Sequence, residues 1–484
     1  MRSKSVYLLL AAVLATLSAG RAQAQWRALA RLERQGAEVT AAAVDLDTGR
    51  VIAQLDPARR LTPASLTKLV TAVAALQAWP PDMQFQTRLI AARPVRGGVI
   101  AGDLTLVGAG DPSLDDDSLW QMAAQLRGAG VRAVRGDLLV DPMPFARVGC
   151  EDQDRCAALA RSDNAYNAPV SAMGVDYGNW CILVSPTAPG APARIEGCAV
   201  SRLPIAVSGS IRTVPSGYRQ TFWVERRTVN GVDAIQVGGD IPMGDVQRVY
   251  RAMSEPARGA GLLLKEVLRE IGVPVAGAVL VRHEPPPRDA AVLADVEGLL
   301  LREQLARMLQ YSNNYIADVL TLDMGAPRDP SESLAAASQQ LSDLVQRVQR
   351  WDPPAVSAPP LYSGSGLTTG NRLSANDLVH LLAYEYRDTR RFPAFYGGLV
   401  TPHDAPFVFL RQGDAAWLDR VALKTGTLDN PRSVCGIAGY LRKRGGGWVA
   451  FAAIVNGGSR WRHVPLYAAI GAERSDIESL LRAY

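Results

Sequence analysis

Two lysines sit beside hydroxyl residues at spacings that can do chemistry. The first is Lys68, in Ser65-Leu-Thr-Lys68. The run Leu61–Leu76 reads as a helix, with Thr62 as its cap and Pro63 in the first helical position. Leu66, Leu69, Val70, Val73 and Leu76 supply its apolar face. Residues three apart share one side of a helix, so the Ser65 hydroxyl and the Lys68 amine can meet. Burial among apolar residues disfavours an ammonium. A neutral amine beside a hydroxyl is a general base for a serine nucleophile. A chance serine next to a snorkelling lysine is the plain alternative, and S-x-x-K alone arises by accident about 0.3 times in such a chain.

The second lysine opens Lys424-Thr-Gly-Thr427, at the end of a strand that includes Val421-Ala-Leu. A lysine, a threonine hydroxyl and a glycine on a strand edge can hold a carboxylate. The lysine supplies the field, Thr425 a hydrogen bond, and Gly426 lets a ligand backbone come close. About 0.02 accidental K-T-G triplets are expected. A third element, Ser312-Asn-Asn314, falls at a break between helical runs, where a hydroxyl and an amide could face a bound peptide. Alone it carries little, because Ser and Asn are ordinary turn residues. Only five of the 52 basic residues are lysines, which sharpens attention on those two. Arginine cannot give up its proton in a protein.

Those residues need a scaffold. At 484 residues and 48% apolar the chain is too long for one core and too apolar for disorder, so two or three domains are expected. The net charge of +5 makes no case for a nucleic-acid partner. Residues 1–24 read as a secretory signal: Arg2 and Lys4, an apolar run Val6 to Leu17, then Ala22-Gln23-Ala24. No later stretch is long enough for a transmembrane anchor, so a secreted, periplasmic protein is expected. Cys150, Cys156, Cys181 and Cys198 suit that compartment and predict two disulfides, with three pairings open. Cys435, in an apolar strand, reads as a buried free thiol. Scattered histidines and the lack of C-x-x-C predict no metal and no cofactor.

The expected architecture is α+β. Trp26 to Gln35 reads as a helix and Val39 to Asp56 as a hairpin turning at Asp47-Thr48-Gly49. Residues 87–287 form an α+β insert of two subdomains, with strand runs at Ile100–Val107 and Gly136–Asp141, closed by Pro285-Pro286-Pro287. Asp419–Thr425, Ser433–Leu441 and Trp448–Val455 read as successive strands, and Leu466–Tyr484 as a closing helix. Residues 25–86 and 288–484 would then make one antiparallel sheet with the terminal helices packed together. Lys265 reads as a solvated helix residue, and Lys443 as part of a basic turn where Arg would serve.

In this order S-x-x-K, S-x-N and K-T-G match the set shared by serine β-lactamases and penicillin-binding proteins, and the sequence resembles that superfamily. The 247 positions between Ser65 and Ser312 leave room for the insert. That spacing resembles the D-alanyl-D-alanine carboxypeptidase/endopeptidase family, the class C low-molecular-mass penicillin-binding proteins. Leu106-Val-Gly-Ala-Gly-Asp-Pro-Ser-Leu114, Tyr166-Asn-Ala-Pro-Val-Ser171 and Gly364-Ser-Gly-Leu367 look like that family too. Ser363 stands where the family usually has Asp, and Asp318 where it usually has Glu.

The resemblance implies a transpeptidase-like catalytic domain and roles for particular residues. Ser65 would attack a D-alanyl carbonyl and Lys68 would take its proton. Ser312 and Lys424 would relay a proton to the leaving amine. Asn314 would hold the peptide amide, and Thr425, Gly426 and Thr427 would bind the leaving side. Stem peptides of peptidoglycan are the implied substrates, and β-lactams the implied acylating ligands. A serine β-lactamase carries the same motifs but is shorter and needs a deacylating group, which the sequence does not identify. A non-enzymatic wall-binding protein is the third reading. Rapid penicillin turnover, a stable adduct, or neither separates the three.

Overall fold

The computed structural model describes residues 26–145, 148, 163–282, 287, 289–325, 333–349 and 357–484. The signal segment, Cys150, Cys156, Pro285 and Pro286 lie outside the described residues.

The chain's two ends build one sheet. Its strands run Val421–Leu428, Val434–Arg442, Trp448–Asn456, Glu38–Asp45, Val51–Leu55, each antiparallel to its neighbour. The middle strands are buried on both faces, which is why they read as nearly unbroken apolar runs. Period-two alternation sorts their side chains. Ala41, Ile437, Phe451 and Val455 face a core shared with Trp26, Leu29, Ile477 and Leu481 of the terminal helices Arg27–Arg34 and Leu466–Ala483. Ala42, Ala438, Ala452 and Ile454 face the opposite core, filled by the helices Thr67–Ala78, Leu334–Gln349 and Ala375–Tyr386. Asp476 of the last helix accepts the backbone N–H groups of Ala28 and Leu29, both at 3.0 Å. It thereby satisfies donors that the first helix cannot pair internally.

The insert hangs on a pair of neighbouring strands. Gln86–Ala91 leads into it and Ala291–Glu297 leads out, and the two pair antiparallel. The outgoing strand therefore runs past residue 287. Both belong to a five-stranded sheet that also holds Val279–Val281, Leu138–Asp141 and Leu104–Val107. Helices Asp116–Gly128 and Pro256–Glu270 pack on it. Two three-stranded sheets follow, and one buried cluster, from Leu106 to Trp180 and Ile235, joins the whole. Cys181 and Cys198 are bonded to each other, which settles their half of the open pairing.

Several local expectations shift. Ile100–Val107 is not one strand: Val99–Ile100 and Leu104–Val107 join different sheets on either side of Gly102-Asp103. The strand bearing Lys424 starts at Val421, because Asp419 belongs to the short helix Ala415–Arg420. Lys265 is half-buried rather than free in solvent, and its side-chain nitrogen donates to the Gly277 carbonyl. Lys443 bridges Asp45 at 2.9 Å and Asp47 at 2.5 Å, tying two turns together.

Candidate active site

The segment around Ser65 does not start a helix at Leu61. Leu61 makes a two-way backbone bridge with Leu373. Thr62 turns its hydroxyl to Arg372 at 3.0 Å instead of capping. Ala64 sits at φ +48°, a left-handed conformation that a regular helix cannot contain. A 3₁₀ turn, Ala64–Leu66, then leads into the helix Thr67–Ala78. In such a turn residues three apart eclipse, so the Ser65–Lys68 relation survives the change. Lys68 is fully buried, and its Nζ donates to Ser65 Oγ at 3.0 Å.

Two more acceptors surround that amine. Asn314 Oδ1 lies at 2.6 Å and the Ser365 carbonyl at 2.7 Å. Asn314 opens the helix Asn314–Gly325, which Asn313 caps by accepting the Ile316 N–H at 3.0 Å. One N–H of the Asn314 amide goes to the Tyr166 carbonyl at 3.0 Å. The insert thus reaches the site directly. Tyr166 is 59% exposed.

Ser312 lies at φ +57°, in the reversal between the helices Leu301–Gln310 and Asn314–Gly325. Its Oγ accepts from Lys424 Nζ at 3.0 Å, and Lys424 also donates to the Thr425 carbonyl at 2.7 Å. Lys424 is fully buried, and burial pushes its pKa from 10.5 down to about 7. Thr425 is buried and Thr427 is exposed on the outer strand of the sheet. Among the described residues that outer edge is covered only by a bridge between Val400 and Leu423, ahead of Lys424.

Gly426 has a different reason from the expected one. A Cβ there would lie 2.5 Å from the Pro63 carbonyl oxygen and 3.1 Å from the Leu66 nitrogen. The glycine lets the strand close on the protein's own serine turn. The Gly364-Ser-Gly stretch is squeezed in the same way. A Cβ on Gly364 would meet Thr321 Oγ1 at 2.0 Å, and one on Gly366 (φ +74°) would meet the Ala64 carbonyl oxygen at 1.9 Å. Asn371, fully buried, bonds Thr67 Oγ1 and the Ser363 carbonyl behind the site. Sequence reasoning noted the 364–367 and 166–171 stretches but gave them no task, and it missed Asn371, which has no local signature. Cys435 is buried and free, 3.4 Å from a Glu473 oxygen. Among the described residues no three His, Cys, Asp or Glu side chains could hold a metal, and no helix is long and apolar enough to cross a membrane.

All eight expected residues therefore fall in one place, around two buried amines that each hold a serine hydroxyl. The model of the D-Ala-D-Ala carboxypeptidase 3 (S13) family matches residues 23–466. The chain belongs to that family. A D-alanyl-D-alanine carboxypeptidase from an Actinomadura species is 32% identical over 448 residues, 88% of this chain and 79% of that protein. The D-alanyl-D-alanine carboxypeptidase DacB of Haemophilus influenzae is 26% identical over 449 residues, 87% and 86% of the two chains. The crystal structure of penicillin binding protein 4 (dacB) from Haemophilus influenzae matches with a TM-score of 0.74 at 22% identity, covering 94% of this chain and 99% of that one. This S13 member therefore shares its fold with that protein over nearly the whole of both chains.

Proposed function

We propose that this S13 member is a serine D-alanyl-D-alanine carboxypeptidase/endopeptidase acting on peptidoglycan stem peptides through an acyl-enzyme on Ser65. The observation that carries the reading is the set of partners around Lys68. A neutral amine has two N–H groups and one lone pair. Asn314 Oδ1 and the Ser365 carbonyl can only accept, so they take the two N–H groups. Ser65 Oγ lies 3.0 Å from the same nitrogen, so once the amine is neutral the Ser65 hydroxyl can turn to donate to it, as a general base requires.

Ser65 Oγ then attacks the carbonyl carbon of a D-alanyl bond as its proton passes to Lys68. The backbone N–H groups of Ser65 and Thr427 receive the oxyanion, a contribution commonly worth about 10²–10³ in rate per donor. Collapse breaks the C–N bond. The leaving amine takes a proton through Ser312, supplied by Lys424, whose pKa of about 7 suits it to give and regain a proton near neutrality. Thr425 and Thr427 bind the leaving side, and the open edge beyond Lys424 offers backbone groups to an extended peptide. Water attacks the ester and frees Ser65. Penicillin acylates the same oxygen. In support, a relative of this fold was crystallised in complex with a β-lactam. The Cys181–Cys198 disulfide supports an oxidising, extracytoplasmic location.

Mass spectrometry of muropeptides incubated with the protein tests the reading. Release of D-Ala or cleavage of cross-linked dimers is expected, together with a stable stoichiometric penicillin adduct. Both should disappear in Ser65→Ala. Peptide release that survives this change, or rapid penicillin turnover by the unaltered protein, would sink it.

A further inference from the structure

We infer that Asp318 is a positioning residue for Lys68, acting through the backbone of Ser365. The inference rests on the reading of Lys68 as the base. Asp318 lies one helical turn after Asn314, so both project from the same side of the helix Asn314–Gly325. Its side chain is 1% exposed, and Oδ1 accepts the Ser365 N–H at 2.8 Å. The carbonyl of that same residue accepts from Lys68 Nζ at 2.7 Å. Ser365 is therefore gripped at its N–H by a carboxylate and presents its C=O to the amine.

The loop is packed closely around Ser365, and the Asp318 bond adds a directional hold on that one peptide group. Glycines flank Ser365 on both sides, and glycine restricts backbone rotation least of all residues. The Ser365 side chain is occupied locally, accepting the Leu367 N–H at 3.2 Å. The Asp318 bond fixes the one remaining backbone donor of the residue. One helix thereby sets both acceptors of Lys68: directly through Asn314, and indirectly through Asp318. If Ser365 rotated, one N–H of Lys68 would lose its acceptor. The lone pair would then no longer be confined to the direction of Ser65 Oγ. Losses of about 10²-fold from misplacement on the order of 1 Å are ordinary for such groups.

The hydrogen bond needs an oxygen acceptor and not a charge, so two substitutions separate the possibilities. Asp318→Ala removes the acceptor, and Asp318→Asn keeps an oxygen that can face the Ser365 N–H. Stopped-flow acylation by penicillin would give the dissociation constant and the acylation constant separately, with thermal melting alongside. Asp318→Ala should lower the acylation constant about 10²-fold with the dissociation constant unchanged. Asp318→Asn should recover to within about tenfold of the unaltered protein. An Asp318→Ala protein that acylates at the normal rate overturns the inference. So does Asp318→Asn matching the alanine variant, since charge and not the hydrogen bond would then matter. A loss explained entirely by weaker binding or a lowered melting temperature overturns it too. If the unaltered protein is not acylated at Ser65, the proposed function itself has failed, which is a separate and visible result.

Discussion

Lys424 is held where its own charge is costly, and this has a measurable consequence for stability. In the unfolded chain its amine titrates near the ordinary 10.5; in the folded protein burial brings it to about 7. Between those values the unfolded chain binds a proton that the folded one has released. Stability must therefore climb as pH rises from about 7 to about 10.5, and the penalty is fully present below 7. Lys424→Met removes the titrating group. Urea unfolding at pH 7, 8.5 and 10 should find the unaltered protein gaining on the variant at each step; parallel behaviour would refute the burial argument. That Lys68 meets Ser65 was legible in the sequence, because the spacing is local; that Lys424 meets Ser312, 112 positions away, came only from the family resemblance. The cause of the Lys424 shift was not legible, since it depends on what surrounds the amine in three dimensions. The same holds for Lys265 and Lys443, whose partners Gly277 and Asp45 are set by tertiary contacts.

Elements bring the catalytic groups together by close backbone approach. The strand Val421–Leu428 lies so near the serine turn that Gly426 has no space for a side chain. Gly426→Ala puts a Cβ against the Pro63 carbonyl, and the atom in the way is backbone, which cannot swing aside. The strand must then withdraw, taking the Thr427 N–H with it. Penicillin acylation is expected to slow about 10²-fold while the protein stays folded. Acylation kinetics paired with a melting curve check this, and an unchanged rate would mean the contact is not needed. The C-terminal strands were readable because they are buried on both faces and separated by a Gly-rich turn. The first turns around Ser65 were misread because Leu61 pairs with Leu373, some three hundred positions away, and no propensity in 61–64 reports that. The left-handed Ala64 is equally silent, since nothing in an alanine announces a positive φ.

The insert meets the rest of the molecule at the helix Asn314–Gly325, which carries Asn314, proposed above to act in the site, at one end. Tyr315 donates to the Ser171 carbonyl at 2.8 Å, and Arg307, on the preceding helix, to the Tyr177 hydroxyl at 2.9 Å. Deeper in the same seam lie two carboxyls, Asp323 from this helix and Asp111 from the insert. Gly110, at φ +75°, makes room for Asp323, whose Oδ1 lies 1.9 Å from where a Cβ would stand. The sequence offered Asp111 only as part of a familiar stretch; its meeting with Asp323 depends on two segments 212 positions apart. Burial pushes Asp111 up to about 6, and burial with the neighbouring Asp111 charge pushes Asp323 well above the ordinary 3.8. Both folded values exceed the unfolded one, so the folded protein keeps protons that the unfolded chain gives up as pH rises. The contribution of Asp111 to stability should fall between about pH 4 and 6, where only the unfolded chain has released the proton, and that of Asp323 should go on falling above that range, opposing the gain from Lys424 above about pH 7. Asp323→Asn stays neutral throughout. It should match the unaltered protein near pH 4 and exceed it in stability at pH 8. Urea midpoints at the two pH values decide the matter. An asparagine variant no more stable at pH 8 than at pH 4, relative to the unaltered protein, would mean that this seam is not held by protonated carboxyls.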